Sequence, residues 1–142
     1  MMNEKEEYPK VKFNQKDYVK CAENVIKFLK KENFGVVGSK ETLSTSKIRN
    51  ILSSTSEIYD MVRSQGPEAV RDKLAYLKVK LIYQSGRYPV VKRFVEVSKL
   101  IQALDRLEVK YYQQPEEKAM IILFCRYMEA LVAYFKYYGG KD

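Results

Sequence analysis

The stretch Leu43 to Ser53, LSTSKIRNILS, puts hydroxyl side chains at Ser44, Thr45 and Ser46 directly ahead of Lys47 and Arg49, where a helical period begins. That order of charge is the reverse of what a lone helix prefers. Unpaired N–H groups and the helix dipole make an N-terminus positive, so Asp or Glu belongs there. Other segments of the chain follow the preference, with Asp17, Glu68 and the pair Glu116 and Glu117 near their starts. An external anion resolves the conflict, because exposed N–H groups, a hydroxyl, Lys47 and Arg49 together form a cradle for phosphate. The competing reading makes Ser44 or Thr45 an ordinary cap and leaves both cations in solvent.

A second constellation is Lys73, Tyr76, Lys80, Tyr83 and Arg87, spaced three, four, three and four residues apart, which is the period of one helix edge. Cations neutralise phosphates and tyrosine rings offer planes for bases or ribose, a combination that suits a single strand better than a closed duplex. Alternatively the rings lean into the core and the lysines lie over it. Arg126 and Lys136, with Tyr127, Tyr134 and Tyr137, line the remaining faces of the C-terminal segment; Lys92, Lys99, Arg106 and Lys110 form a further stripe without aromatic residues.

None of these groups points to catalysis. The chain has no histidine, so the usual general-base, triad and metal constellations are missing. Glu6 and Glu7 sit in a polar N-terminal stretch, Glu116 and Glu117 at a helix start, and no glycine-rich phosphate loop occurs. The expectation is a non-enzyme with no metal and no cofactor. Cys21 and Cys125 are far apart and fall at or beside apolar helical positions, as buried reduced thiols do.

The elements that must position the basic groups are all helical. Every segment with a clear period has the helical one and none alternates as a strand. The pattern predicts an all-α bundle of about five helices: Gln15 to Glu32, Ser46 to Ser64, Pro67 to Ser85, Pro89 to Lys110 and Glu116 to Tyr138. Pro67, Pro89 and Pro115 stand where helix-start prolines belong. Asn14 is placed to cap the first helix, whose apolar side is Tyr18, Ala22, Val25, Ile26 and Leu29, with Lys16, Lys20, Lys27, Lys30 and Lys31 opposite, broken by Glu23. The third helix buries Val70, Leu74, Leu77 and Leu81; the fourth buries Val90, Phe94, Val97, Ile101 and Leu104. In the last, Ile121, Phe124, Met128, Leu131, Phe135 and Tyr138 form a seam that ends at Gly139 and Gly140.

At 142 residues and 46% hydrophobic content the chain can bury a real core. One domain over residues 14–142, preceded by a flexible tail over 1–13, is the expected organisation. No apolar run is long enough to span a bilayer and the start is too polar for a signal peptide, so a soluble, cytoplasmic protein is expected. The net charge of +8 points to a polyanion, an acidic protein or an anionic membrane as partner. A membrane is disfavoured, because it requires a basic helix with an exposed apolar face.

Three strings, LSTSKIRNILS, LAYLKVKLIYQSGR (Leu74 to Arg87) and FCRYMEALVAYFKYYGGKD (Phe124 to Asp142), resemble in sequence and order the small helical subunit of the type III-A CRISPR effector, the Csm complex. The resemblance implies a non-catalytic subunit, several copies of which stack along a crRNA-guided assembly beside backbone and large subunits and help hold the target RNA paired to crRNA. It also implies that cleavage and nucleotide chemistry belong to those other subunits. The residues expected to bind RNA are Lys47, Arg49, Lys73, Lys80, Arg87, Arg126 and Lys136. Sequence readout is not required of them, since pairing with crRNA supplies it. A purely architectural subunit that docks on acidic proteins remains the alternative, as does the small subunit of the related type III-B complex.

Overall fold

The computed structural model describes residues 8–107 and 114–141. Among the described residues there are six α-helices: α1 Tyr18–Lys30, α2 Thr45–Gln65, α3 Arg71–Arg87, α4 Pro89–Ser98, α5 Leu100–Asp105 and α6 Gln114–Tyr137. A 3₁₀ turn over Pro67–Val70 leads into α3. Among the described residues only isolated bridges, Gly35 with Thr42 and Ser44 with Lys141, have extended pairing. The all-α architecture expected from the period is therefore what forms.

Helix α6 is the central element, packed against α1 on one side and α2 on the other, while α3 joins α2 to α4. Its seam disappears from solvent completely at Ile121, Phe124, Met128, Leu131 and Phe135. Those side chains meet Val25 and Ile26 of α1, Ile48, Ile51 and Ile58 of α2, and Phe94 of α4 in one contiguous core. Burial on this scale, at about 25 cal/mol per Å² of apolar surface, is what holds a helical bundle together. The helix stops where the sequence pair Gly139 and Gly140 demands it. Gly139 takes φ +98, its N–H donates to the Lys136 carbonyl at 3.2 Å, and Gly140 N–H donates to the Phe135 carbonyl at 2.8 Å, the Schellman arrangement. A Cβ on Gly140 would run into the Phe135 ring.

The fourth expected helix is the one the structure breaks. Instead of running from Pro89 to Lys110 it ends at Ser98, Lys99 adopts the left-handed conformation at φ 61, and α5 starts afresh at Leu100. The cause lies in another helix. Tyr127, which the sequence pattern placed on an outer face of α6, is fully buried, and its hydroxyl donates to the Ser98 carbonyl at 2.7 Å. Ser98 in turn donates its Oγ–H to the Phe94 carbonyl at 2.6 Å. Both interactions divert groups from a regular ladder, and such insertions kink helices. Lys110 lies outside the described residues, so the basic stripe proposed for this helix is seen only at Lys92, Lys99 and Arg106.

At the N-terminus, the expected tail over 1–13 meets a described segment from Tyr8 onward that lies on the bundle. Tyr8 packs edge-on to Phe28 at 5.5 Å, and Phe13 reaches Phe124 and Tyr127. Residues 1–7 lie outside the described part. Cys21 and Cys125 are free and buried. No helix of the described residues is long and apolar enough to cross a membrane.

Candidate nucleic-acid interface

Helix α2 sits between α3 and α6, and the cations singled out from sequence gather along its flanks. On the α3 side, Lys73 pairs with Glu57 at 3.3 Å, while Lys80 Nζ donates to the Asn50 carbonyl at 3.2 Å and to Ser54 Oγ at 2.9 Å. On the α6 side, Arg126 donates to the Tyr59 hydroxyl at 3.2 Å and Lys136 donates to Thr45 Oγ1 at 3.4 Å. Lys47, on α2 itself, lies over the Tyr88 ring at 5.0 Å, and Arg87 lies over the same ring at 5.2 Å. Arg49 is exposed. Residues spread over more than half the sequence thus border one helix face. From Thr45 to Tyr59 that face extends roughly 20 Å at 1.5 Å per residue.

The face is not uniform in charge. Its first half presents Ser46, Arg49, Asn50 and Ser53, with Lys47, Lys80, Arg87 and Lys136 at the edges; its second half carries the carboxylates Glu57 and Asp60. Lys73 is neutralised there by Glu57. Arg126 borders a groove of about 300 Å³ between α2 and α6, lined by Leu52, Thr55, Ser56, Tyr59, Asp60, Cys125 and Glu129. Two carboxylates beside that groove repel phosphate. Burial, with Glu129 adding like charge, pushes the Cys125 thiol up to about 12, so the groove offers no thiolate at neutral pH. Of the seven candidate cations, Lys47, Arg49, Lys80, Arg87 and Lys136 lie along the first half of the face, and Lys73 and Arg126 lie by its acidic second half, where Lys73 is paired with Glu57.

The start of α2 differs from the cradle expected of it. Ser44 Oγ accepts from Lys47 N–H at 3.3 Å, and Thr45 N–H donates to the Lys141 carbonyl at 2.9 Å. Backbone donors that were to face an anion are thus engaged within the chain, one by a cap and one by the C-terminal segment folding back. Side-chain cations remain to face an anion. The lysines of α1 behave as a solvated face: Lys20 and Lys27 pair with Glu23, whose carboxyl is held below its usual range chiefly by the Tyr138 hydroxyl at 2.6 Å.

Comparison with known proteins places the sequence in a family. The sequence profile of the family described as Csm2 Type III-A matches residues 12–141. A protein of Streptococcus thermophilus named CRISPR system Cms protein Csm2 is 39% identical over 126 residues, covering 89% of this chain and 94% of that one. Its namesake in Mycobacterium tuberculosis strain CDC 1551 is 39% identical over 132 residues, covering 90% and 96%. One from Enterococcus italicus is 40% identical over 104 residues, covering 70% and 71%. The chain belongs to the type III-A Csm2 family.

For a Csm2-family chain the sequence reading missed three participants. Tyr88 holds Lys47 and Arg87 on one ring, and its signal was its place between Arg87 and Pro89, where the chain turns from α3 into α4. Tyr59 carries both Arg63 and Arg126 on its ring, at 5.3 and 5.7 Å. Lys141 reaches α2 only because the double glycine turns the chain back. Tyr76 and Tyr83 are exposed, so their rings do not lean into the core as the alternative reading had it. Among the described residues no cluster of three potential metal ligands occurs.

Proposed function

We propose that this Csm2-family protein is the non-catalytic small subunit of a type III-A CRISPR interference complex in the cytoplasm, where it holds the phosphate backbone of target RNA paired to crRNA and stabilises the guided filament. Its partners in that reading are neighbouring copies of itself and the backbone and large subunits. The observation that carries the reading is the gathering of Lys47, Arg49, Lys80, Arg87 and Lys136, from three helices, around the carboxylate-free first half of α2. A phosphate backbone needs cations at intervals along a track, and the spacing of these five supports that reading. Tyr88 fixes the Lys47 and Arg87 positions, so less side-chain entropy is lost on binding.

The test is target-RNA affinity of the reconstituted complex across a salt series, wild type against Lys47→Ala/Arg49→Ala, after confirming intact assembly. Each lost contact lowers the salt slope by about 0.7 to 0.9, so the double variant should lose about 1.4 to 1.8, at equal cost for every target sequence. An unchanged slope in fully assembled complex would move the function to architecture alone.

A further inference from the structure

The exposed ridge of α2 changes sign twice along its length. Its side chains run from Ser46, Arg49 and Asn50 through Glu57 and Asp60 to Arg63. Beyond the carboxylates the surface is basic again: Arg63 and Arg126 both lie over the Tyr59 ring, at 5.3 and 5.7 Å, and Lys118 Nζ donates to the Arg63 carbonyl at 3.5 Å. From Thr45 to Arg63 the ridge is about 27 Å long at 1.5 Å per residue, against about 12 Å for the part from Thr45 to Ser53. Positive charge over the longer span would give a polyanion one continuous track. The carboxylates in its middle cut that track short. Folding does not account for them. Glu57 pairs with Lys73 at 3.3 Å, but their side chains are 59% and 38% exposed, and such a pair contributes little to stability. Asp60 stands three residues from Glu57, where like charges on one helix oppose each other, and it lines the same groove as Glu129. Neither Asp60 nor Glu129 joins an ion pair among the described residues.

We infer that Glu57 and Asp60 are specificity-determining residues of the phosphate track, ending the bound backbone ahead of Glu57 and keeping Lys73, Arg63 and Arg126 off it. This rests on the phosphate-holding reading of the first half of α2. The two carboxylates act differently. Glu57 occupies the Lys73 ammonium, so a phosphate must displace it to gain that contact. Asp60 sets a negative charge between the first half of the ridge and the two arginines on Tyr59, and a phosphate passing that way meets it at close range. A backbone running the length of α2 is thereby rejected in favour of one that touches only the first half, which is specificity by repulsion. At 3.4 Å of axis per strand, about 12 Å holds roughly three or four phosphates of a stacked strand, so the subunit grips a short, fixed number of nucleotides.

The experiment measures target-RNA affinity across a salt series in the complete reconstituted complex, with assembly confirmed for every variant. Glu57→Gln should steepen the salt slope by about 0.7 to 0.9, one added phosphate contact, and Glu57→Gln/Lys73→Ala should return it to the wild-type value. Asp60→Asn should steepen the slope by at least as much. Glu96→Gln, which removes the same charge from an exposed position on α4, should change it by less than half of that. Wild-type slopes in Glu57→Gln and Asp60→Asn, an equal increase in Glu96→Gln, or an increase in Glu57→Gln that survives Lys73→Ala would each overturn the inference. Lys47→Ala/Arg49→Ala in the same series separates the two failures. A shallower slope in that variant beside unchanged carboxylate variants refutes the stop alone, whereas an unchanged slope in it refutes the track and the stop together.

Discussion

Removing one oxygen from Tyr127 tests how the bundle is assembled around α6. In Tyr127→Phe the ring remains, keeping its edge-on contact with Phe13 at 6.0 Å, and only the 2.7 Å hydrogen bond to the Ser98 carbonyl is lost. That carbonyl sits at a fully buried residue, so it is left without its donor. An orphaned buried acceptor costs about 1–3 kcal/mol. With an unfolding entropy of about 2.1 cal/mol/K per residue, a chain of 142 residues has about 300 cal/mol/K, and the loss converts to about 3–10 °C in Tm. The assay is thermal unfolding followed by circular dichroism at 222 nm, together with amide hydrogen exchange through Leu100 to Asp105. Faster exchange in α5 should accompany the lower Tm, because the same hydroxyl sets where α4 ends. A melt within 1 °C of wild type would refute the claim that Tyr127 breaks the fourth helix.

Gly140→Ala should lower Tm by several degrees, because its Cβ runs into Phe135, whereas Gly38→Ala, strained but open to solvent, should cost less in the same melt. Tyr138→Phe should alter the pH dependence of stability at both ends. Hydrogen bonding to Glu23 raises Tyr138 to about 12, so its contribution is complete below pH 10 and is lost as pH rises towards 12; the lowered Glu23 carboxyl contributes above its ordinary range and loses that contribution as pH falls through its depressed folded value. The Tm gap between wild type and variant should therefore be widest near neutrality, and a gap independent of pH would refute the pairing. Lys73→Ala, already neutralised by Glu57, should change the RNA salt slope by less than Lys80→Ala in the assembled complex; equal effects would refute the division of the α2 face. Cys125 should react with a thiol reagent at pH 8 only on unfolding, and prompt labelling of the folded protein would contradict its burial.

The all-α class, the apolar seam of α6, the core stripes of α3 and α4 and the glycine stop were all legible in the sequence, because each is a local consequence of spacing. A seam repeating at three and four must be buried wherever it lies, and a double glycine ends a helix by its own backbone freedom. The identities of the cations were legible for the same reason, as was the absence of histidine. What the sequence alone could not determine was which cations share a surface. Lys47 and Arg87 meet on Tyr88, and Lys136 reaches Thr45, only because α2, α3 and α6 pack side by side. The sequence also could not divide cations with a carboxylate neighbour from those without one, since Glu57 neutralises Lys73 from another helix. The break at Lys99 was equally hidden, for nothing in the local pattern of α4 announces a tyrosine hydroxyl arriving from α6. Period is a property of one segment, and pairing a property of two; only the tertiary structure brings the second segment.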